Sequence, residues 1–414
     1  MQLKSVKYLS AVSLNERVTF LKLLFRWQFS VWKLLWADFL WFFLIYTGIT
    51  LLYRLYLIKD IQKKVVFESI VAYMNKAAAL VPLSFLLGFF VSTVLGRFWT
   101  IVNSIPWMSK PAFLCQAVLN GDNEVKSRQL RLTIIRYLNL SWVLTMMKLS
   151  DKVRKRFWIK KENKSFELLN KNLPKISIRE RLNKVNSDEM VKRYFGKLIM
   201  EEEMTVLEGL DDKPTTPQFF IPLMWATKLV EKARKADYIK SDSTCSSMVN
   251  MIQDMKNNLD NLAVFNTFNV PLVYTQVIII VVYTFLISEI FSQQTITNPN
   301  IDIESYFPIF SIFKFFIYMG WFKVGLTFIN PFGSDDTDLP LDEMLDYNLQ
   351  ISAVIARASD SCFPEYLNSS LENSVVNKLE VLEKFEAERS EIQTNYRDQQ
   401  RFGNKCYDDM FIKS

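Results

Sequence analysis

The chain has no histidine among its 414 residues. That excludes histidine-based acid–base catalysis, histidine metal ligation and a histidine pH switch. Glycine is scarce, at 10 residues, and forms neither a phosphate-cradling loop nor a Gly-x-Ser-x-Gly nucleophile turn, so an enzyme is not expected. The cysteines, Cys115, Cys245, Cys362 and Cys406, are scattered and show no Cys-x-x-Cys pair. They read as free thiols of a reducing compartment. No inverted repeat or pair of broken helices points to a secondary transporter. Lys4 and Lys7 are not followed by an apolar core, so no cleavable signal peptide is expected.

What the chain does have is apolar length. Half of it is hydrophobic and 33 residues are Phe, beside 22% charged residues. The apolar residues cluster into runs long enough to cross a bilayer, about 20 residues each. Four spans are predicted, at about 38–58, 77–100, 270–290 and 306–329, giving an all-α polytopic membrane protein. A short polar loop, about 59–76, is expected between the first two. Residues 1–36 carry six Lys or Arg against Glu16 alone, and RVTFLKLLFRWQFSVWKLLW reads as an amphipathic interfacial helix. Residues 101–263 hold more than half of the 50 Lys and Arg, whereas 292–305 holds none. The first is therefore placed in the cytosol, the second outside, and both termini inside. The net charge of +7 is assigned to basic flanks of membrane helices, because no zinc spacing or nucleic-acid motif accompanies it. Within the cytosolic region, 128–157 and 218–236 are expected to be helices, and the acid run Glu201–Glu203 a solvated helix face.

Two stretches carry chemistry. In Val81–Trp107, Val81, Phe85 and Phe89 lie four residues apart and share one helical face. Ser84, Gly88 and Ser92 form a small-residue seam suited to close helix approach in lipid. Such a stripe serves packing, or, repeated around an axis, lines a narrow aromatic pore whose ring edges face an anion. After the fourth span, INPFGSDDTDLPLDEMLDYN places Asp335, Asp336 and Asp338 just past a Pro331–Gly333 turn. Clustered carboxylates with turn carbonyls suit a hard cation. They equally suit an acidic turn opening a helix, and the spacing is not an EF-hand. Lys314 lies inside the fourth span, which marks it as a functional candidate.

These motifs resemble the bestrophin family. PLSFLLGFFVS with RFW and IPW resembles its pore helix, and RW…S…WKLLW its N-terminus. IRYLNL and KVRKRF resemble its cytosolic helices, and PLVYTQV its third span. GWFKV…INPFG followed by acids is the most specific match. The resemblance covers about 12–350 and is interrupted by a charged insertion at about 158–182. Residues 1–350 would be the channel domain and 351–414 a cytosolic tail, in which NKLEVLEKFEAERSEIQ reads as a solvated helix. One departure stands out: Phe265, Asn266 and Thr267 occupy the place of the family's usual Tyr-Asp-Trp.

The resemblance implies a homopentamer in the cell membrane, or an internal one, around one central pore. It implies a calcium-activated chloride channel that also passes bicarbonate, with a non-conducting scaffold or regulator as the alternative. No nucleic-acid partner is implied. Val81, Phe85 and Phe89 would line the neck. Counting back from PLVYTQV puts the cytosolic aperture at Ser243, where a small polar residue would select less than the family's apolar or basic one. Calcium would be held by the side chains of Asp335 and Asp338, the carbonyls of Asn330 and Thr327, and the carbonyl of Ser13 from the next subunit. Ser334 and Thr337 stand where family members often have further acids.

Overall fold

The computed structural model describes residues 30–80, 82–121, 123–158, 178–209, 219–294, 308–335 and 338–358. Among these residues there are only helices and connections, with no strand. In chain order the helices are α1 Val31–Leu55, α2 Ile61–Leu80, α3 Leu83–Asn103, α4 Ser109–Val118, α5 Glu124–Leu149, α6 Asp151–Trp158, α7 Ile178–Ser187, α8 Glu189–Phe195, α9 Glu201–Glu208, α10 Phe220–Lys235, α11 Asp242–Thr267, α12 Leu272–Ser292, α13 Ile309–Ile329 and α14 Leu341–Arg357. The chain divides into two units: Met1–Ile105 with Met147–Lys155 and Asn258–Glu343, and Pro106–Met146 with Arg156–Asn257 and Met344–Ser414.

Among the described residues four helices are long and apolar enough to span a membrane, all in the first unit: α1 with the 3-10 turn after it, α3, α12 and α13. The chain is a multi-pass membrane protein. Its first span starts at Val31, earlier than expected, because Ser30 caps it: the Ser30 hydroxyl accepts from the Lys33 amide at 3.4 Å. The core between the spans is aromatic and aliphatic. Phe42 and Phe315 meet at 4.7 Å between ring centroids, and Leu87, Phe90, Val282 and Phe322 are almost fully buried. Gly325 of α13 lies under Phe90: a Cβ there would meet the ring at 2.7 Å. The absence of a side chain therefore sets how closely α3 and α13 approach.

The expected loop at 59–76 is instead α2, and only its last residues fall in the predicted second span. Its charges mask a buried face of Phe67 and Val71 that packs with Tyr53; Phe67 stacks on Tyr53 at 4.9 Å. The break before α3 comes at Pro82 (φ −76°, ψ 59°), which has no amide to continue a helix.

In the second unit, α5 is buried nearly all round from Ile134 to Met146, and polar groups fix its surroundings. Trp142 Nε1 donates to the Pro106 carbonyl at 3.1 Å. Asn139 donates to Ser352 Oγ at 2.9 Å. Arg131 donates to the carbonyls of Leu119 and Ala356 at 3.0 and 3.2 Å. Arg136 makes two 2.6 Å bonds to Glu203 and a third, at 2.8 Å, to the Leu198 carbonyl. Glu203 is therefore no solvated acid, contrary to the reading of its run. Burial works against its charge, but the Arg136 hydrogen bonds win and hold its carboxyl below the ordinary value. The helix expected over 128–157 is two helices, with Ser150 Oγ accepting from the Val153 amide at 3.4 Å to start α6. The end of the expected insertion, from Ile178, opens α7; residues 159–177 lie outside the described set, as does NKLEVLEKFEAERSEIQ.

Candidate functional site: an aromatic helix face and an acidic turn

On α3, Leu83, Leu87, Phe90, Val91 and Val94 turn into the core. The opposite face carries Ser84, Phe85, Gly88, Phe89 and Ser92, all exposed. Phe85 and Phe89 are 62% and 59% exposed, and their rings meet edge to face at 4.7 Å. A Cβ on Gly88 would touch nothing. The sequence stripe is thus not core packing within this chain: helical spacing turns it outward. Val81 lies outside the described residues.

The acidic turn follows α13. Thr327 sits in the last turn of that helix and Asn330 caps it. The chain then folds on itself. The Leu339 amide donates to the Pro331 carbonyl at 3.1 Å, and the Asp338 amide to the Asp335 carbonyl at 3.2 Å. The Asp335 amide in turn donates to Asp338 Oδ2 at 2.7 Å. Gly333 makes room for that carboxylate, since a Cβ there would lie 2.6 Å from Oδ2. Asp338 is buried and Asp335 exposed. Burial pushes the Asp338 carboxyl above its ordinary value, against the pull of the Asp335 amide and the Lys152 charge. Among the described residues neither aspartate has an ion-pair partner. A buried carboxylate spending one oxygen on a backbone amide keeps lone pairs for a hard cation, so the donors present fit calcium. Among the described residues no group of three or more Asp, Glu, Cys or His gathers for a metal; oxygens beyond the two carboxylates would be carbonyls. Ser13, Asp336 and Thr337 lie outside the described residues.

Ser243 lies exposed in the first turn of α11, in the second unit, and Ser247 Oγ donates to its carbonyl at 3.0 Å. Sequence spacing did not reveal the partners of the intramembrane lysines. Lys314 of α13 pairs with Glu289 of α12 at 2.8 Å, and Lys323 with Asp38 of α1 at 2.9 Å. Each carboxylate lies in another span. The signal available in the sequence was the presence of one acid in each partner run.

The Bestrophin, RFP-TM, chloride channel family matches residues 4–176 and 172–358. The chain belongs to the bestrophin family. Human Bestrophin-3 is 32% identical over 352 residues, 84% of this chain and 48% of its own length. Human Bestrophin-1 is 30% identical over 84% of this chain and 54% of its own length. Bestrophin homolog 22 of Caenorhabditis elegans is 31% identical over 83% of this chain and 63% of its own length. The chain thus spans about half the length of these two human bestrophins. A bacterial bestrophin homolog from Klebsiella pneumoniae shares the fold at a TM-score of 0.53 and 18% identity, over 77% of this chain and 98% of that one. The segments Gly-Trp-Phe-Lys-Val and Ile-Asn-Pro-Phe-Gly, on which the resemblance rested, fall on α13 and the turn after it.

Proposed function

We propose that this bestrophin is the subunit of a homopentameric, calcium-activated chloride channel in the cell membrane. The observation that carries the reading is the α3 face bearing Phe85 and Phe89, which this chain leaves uncovered beside a fully packed opposite face. Five such faces around an axis, continued by Val81, make an apolar neck that gates by dewetting: a small dilation admits water and anions. Ring edges carry partial positive charge and suit chloride. Ser243 would line a wider cytosolic aperture.

Calcium would be held by the Asp335 and Asp338 carboxylates and the Thr327 and Asn330 carbonyls, with Ser13 of the next subunit. Calcium held there would supply a positive charge facing these oxygens. The residues themselves do the coupling. The turn continues directly from α13, and Gly325 of α13 lies against Phe90 on the core face of α3. A change in the turn is thereby passed to the neck helix only so far as the two states bind calcium differently.

The test is a whole-cell recording under a chloride gradient with cytosolic calcium stepped upward. A current that follows calcium, reverses near the chloride potential and disappears in D335A and D338A is expected. Silence with the pentamer intact at the cell surface would instead favour the scaffold reading.

A further inference from the structure

The acidic turn is held from behind by a cation of its own chain. Lys152, in the first turn of α6, sends its ammonium to the Asp338 carbonyl at 2.9 Å and toward the Leu339 carbonyl at 3.5 Å. One residue earlier, the Asp151 amide donates to the Phe332 carbonyl at 3.0 Å. Residues 151 and 152 thus grip the turn at both ends, at Phe332 and at Asp338–Leu339. Three hydrogen bonds internal to the turn close it further. The Lys152 ammonium hydrogen-bonds the Asp338 backbone and acts on the carboxylate only through its charge, so it fixes the residue without occupying its donor oxygens.

A loop that presents carboxylates to a cation normally pays twice when the cation is absent. Its acids repel one another, and its carbonyls lose their partner. Here both penalties are reduced. Ser334 and Thr337 remove charge from the run, and Lys152 brings a positive charge that satisfies two carbonyls.

We propose that Lys152 is a positioning residue that holds the acidic turn in its closed shape without calcium, so that calcium adds little order to this turn. The inference rests on the calcium reading above only for what the added metal does. It assigns to α6 a part in setting how steeply the turn responds to calcium.

The experiment is hydrogen exchange on the full-length protein in detergent, reading the amides of Asp335, Asp338 and Leu339 in chelator and in saturating calcium. The wild type is expected to protect these amides in both conditions. K152M keeps the apolar stem and removes the charge. In chelator its turn amides should exchange about tenfold faster or more, as for loss of a hydrogen bond to a charged group. K152R should retain protection. Amides of α3 serve as the control for global unfolding, and K152Q replaces K152M if that variant is not recovered. Protection regained by K152M in calcium supports both readings. Protection lost in chelator and in calcium alike keeps the Lys152 assignment and sinks the calcium site. Wild-type rates in K152M without calcium would overturn the proposal.

Discussion

The two units solve burial by opposite means. In the first, the interior between α1, α3, α12 and α13 is mostly Phe, Leu, Val and Ile, with Glu289, Gln294 and Ser311 as scattered buried polar groups, and large apolar side chains also cover its outside, from Trp41 on α1 to Trp321 on α13. With both sides greasy, hydrophobicity cannot say which face points inward. Ring geometry and small residues such as Gly325 decide it. In the second unit the interior itself contains Arg131, Arg136, Asn139, Asn348 and Ser352, each tied to a named partner. There, directional bonds choose the packing, and any one of them is costly to lose.

The contrast is sharpest at its charged pairs. The largest loss is expected for Arg136→Met, which takes the only charged partner from Glu203 (15% side-chain exposure) among the described residues and the Arg136 donor from the Leu198 carbonyl, leaving Glu203 the Tyr137 hydroxyl and the Met200 amide. It should cost about 3–5 kcal/mol, read as a lower melting temperature of the purified protein. Next comes Lys314→Met. It leaves Glu289, with 3% side-chain exposure, charged among apolar helices, at about 3 kcal/mol. Glu289→Gln should cost less, because the Lys314 side chain is 43% exposed and can extend to the interface. The double variant should recover most of the loss; additive losses would break the comparison, since the two positions would then not be coupled. The smallest effect is the acid limb. Glu203 titrates below its ordinary value in the folded chain, so the unfolded chain takes up this proton first. The stabilisation is complete above the ordinary carboxylate pKa and fades as pH falls through the folded value. A pH series of melting temperatures on wild type and Glu203→Gln should converge in acid and diverge toward neutrality.

How much of this was legible in the residues follows from what each feature depends on. The spans depend on length and apolarity alone, and their placement in the sequence was readable to within a few residues except at the start of α1 and the start of α3. The start of α1 hung on the Ser30 cap, and the start of α3 on Pro82, whose break was outweighed by the continuous apolar run around it. Helix α2 was hidden because Lys63, Lys64 and Glu68 sit beside a buried face of two residues. Glu203 was misread because its partner Arg136 lies 67 residues away, and an acid triplet by itself looks wet. The Phe85–Phe89 stripe was visible as a period. Its outward direction was not, because in a membrane helix a stripe of rings is compatible with either side. The acidic turn was visible as composition, while the grip of Lys152 on it required the fold.

Arg97 of α3 donates to the Phe268 carbonyl at 2.7 Å, to the Phe265 carbonyl, and to Asn269 Oδ1 at 3.3 Å. Helix α11 stops at Thr267 with neither glycine nor proline until Pro271. Its terminal carbonyls are spent on a side chain 171 residues earlier in the chain. The length of α11 is therefore measured off by another helix, as a ruler held against it, and its own sequence does not write its full stop. A change at position 97 would be read, four residues from Pro271, as a change in where one helix ends and the next begins.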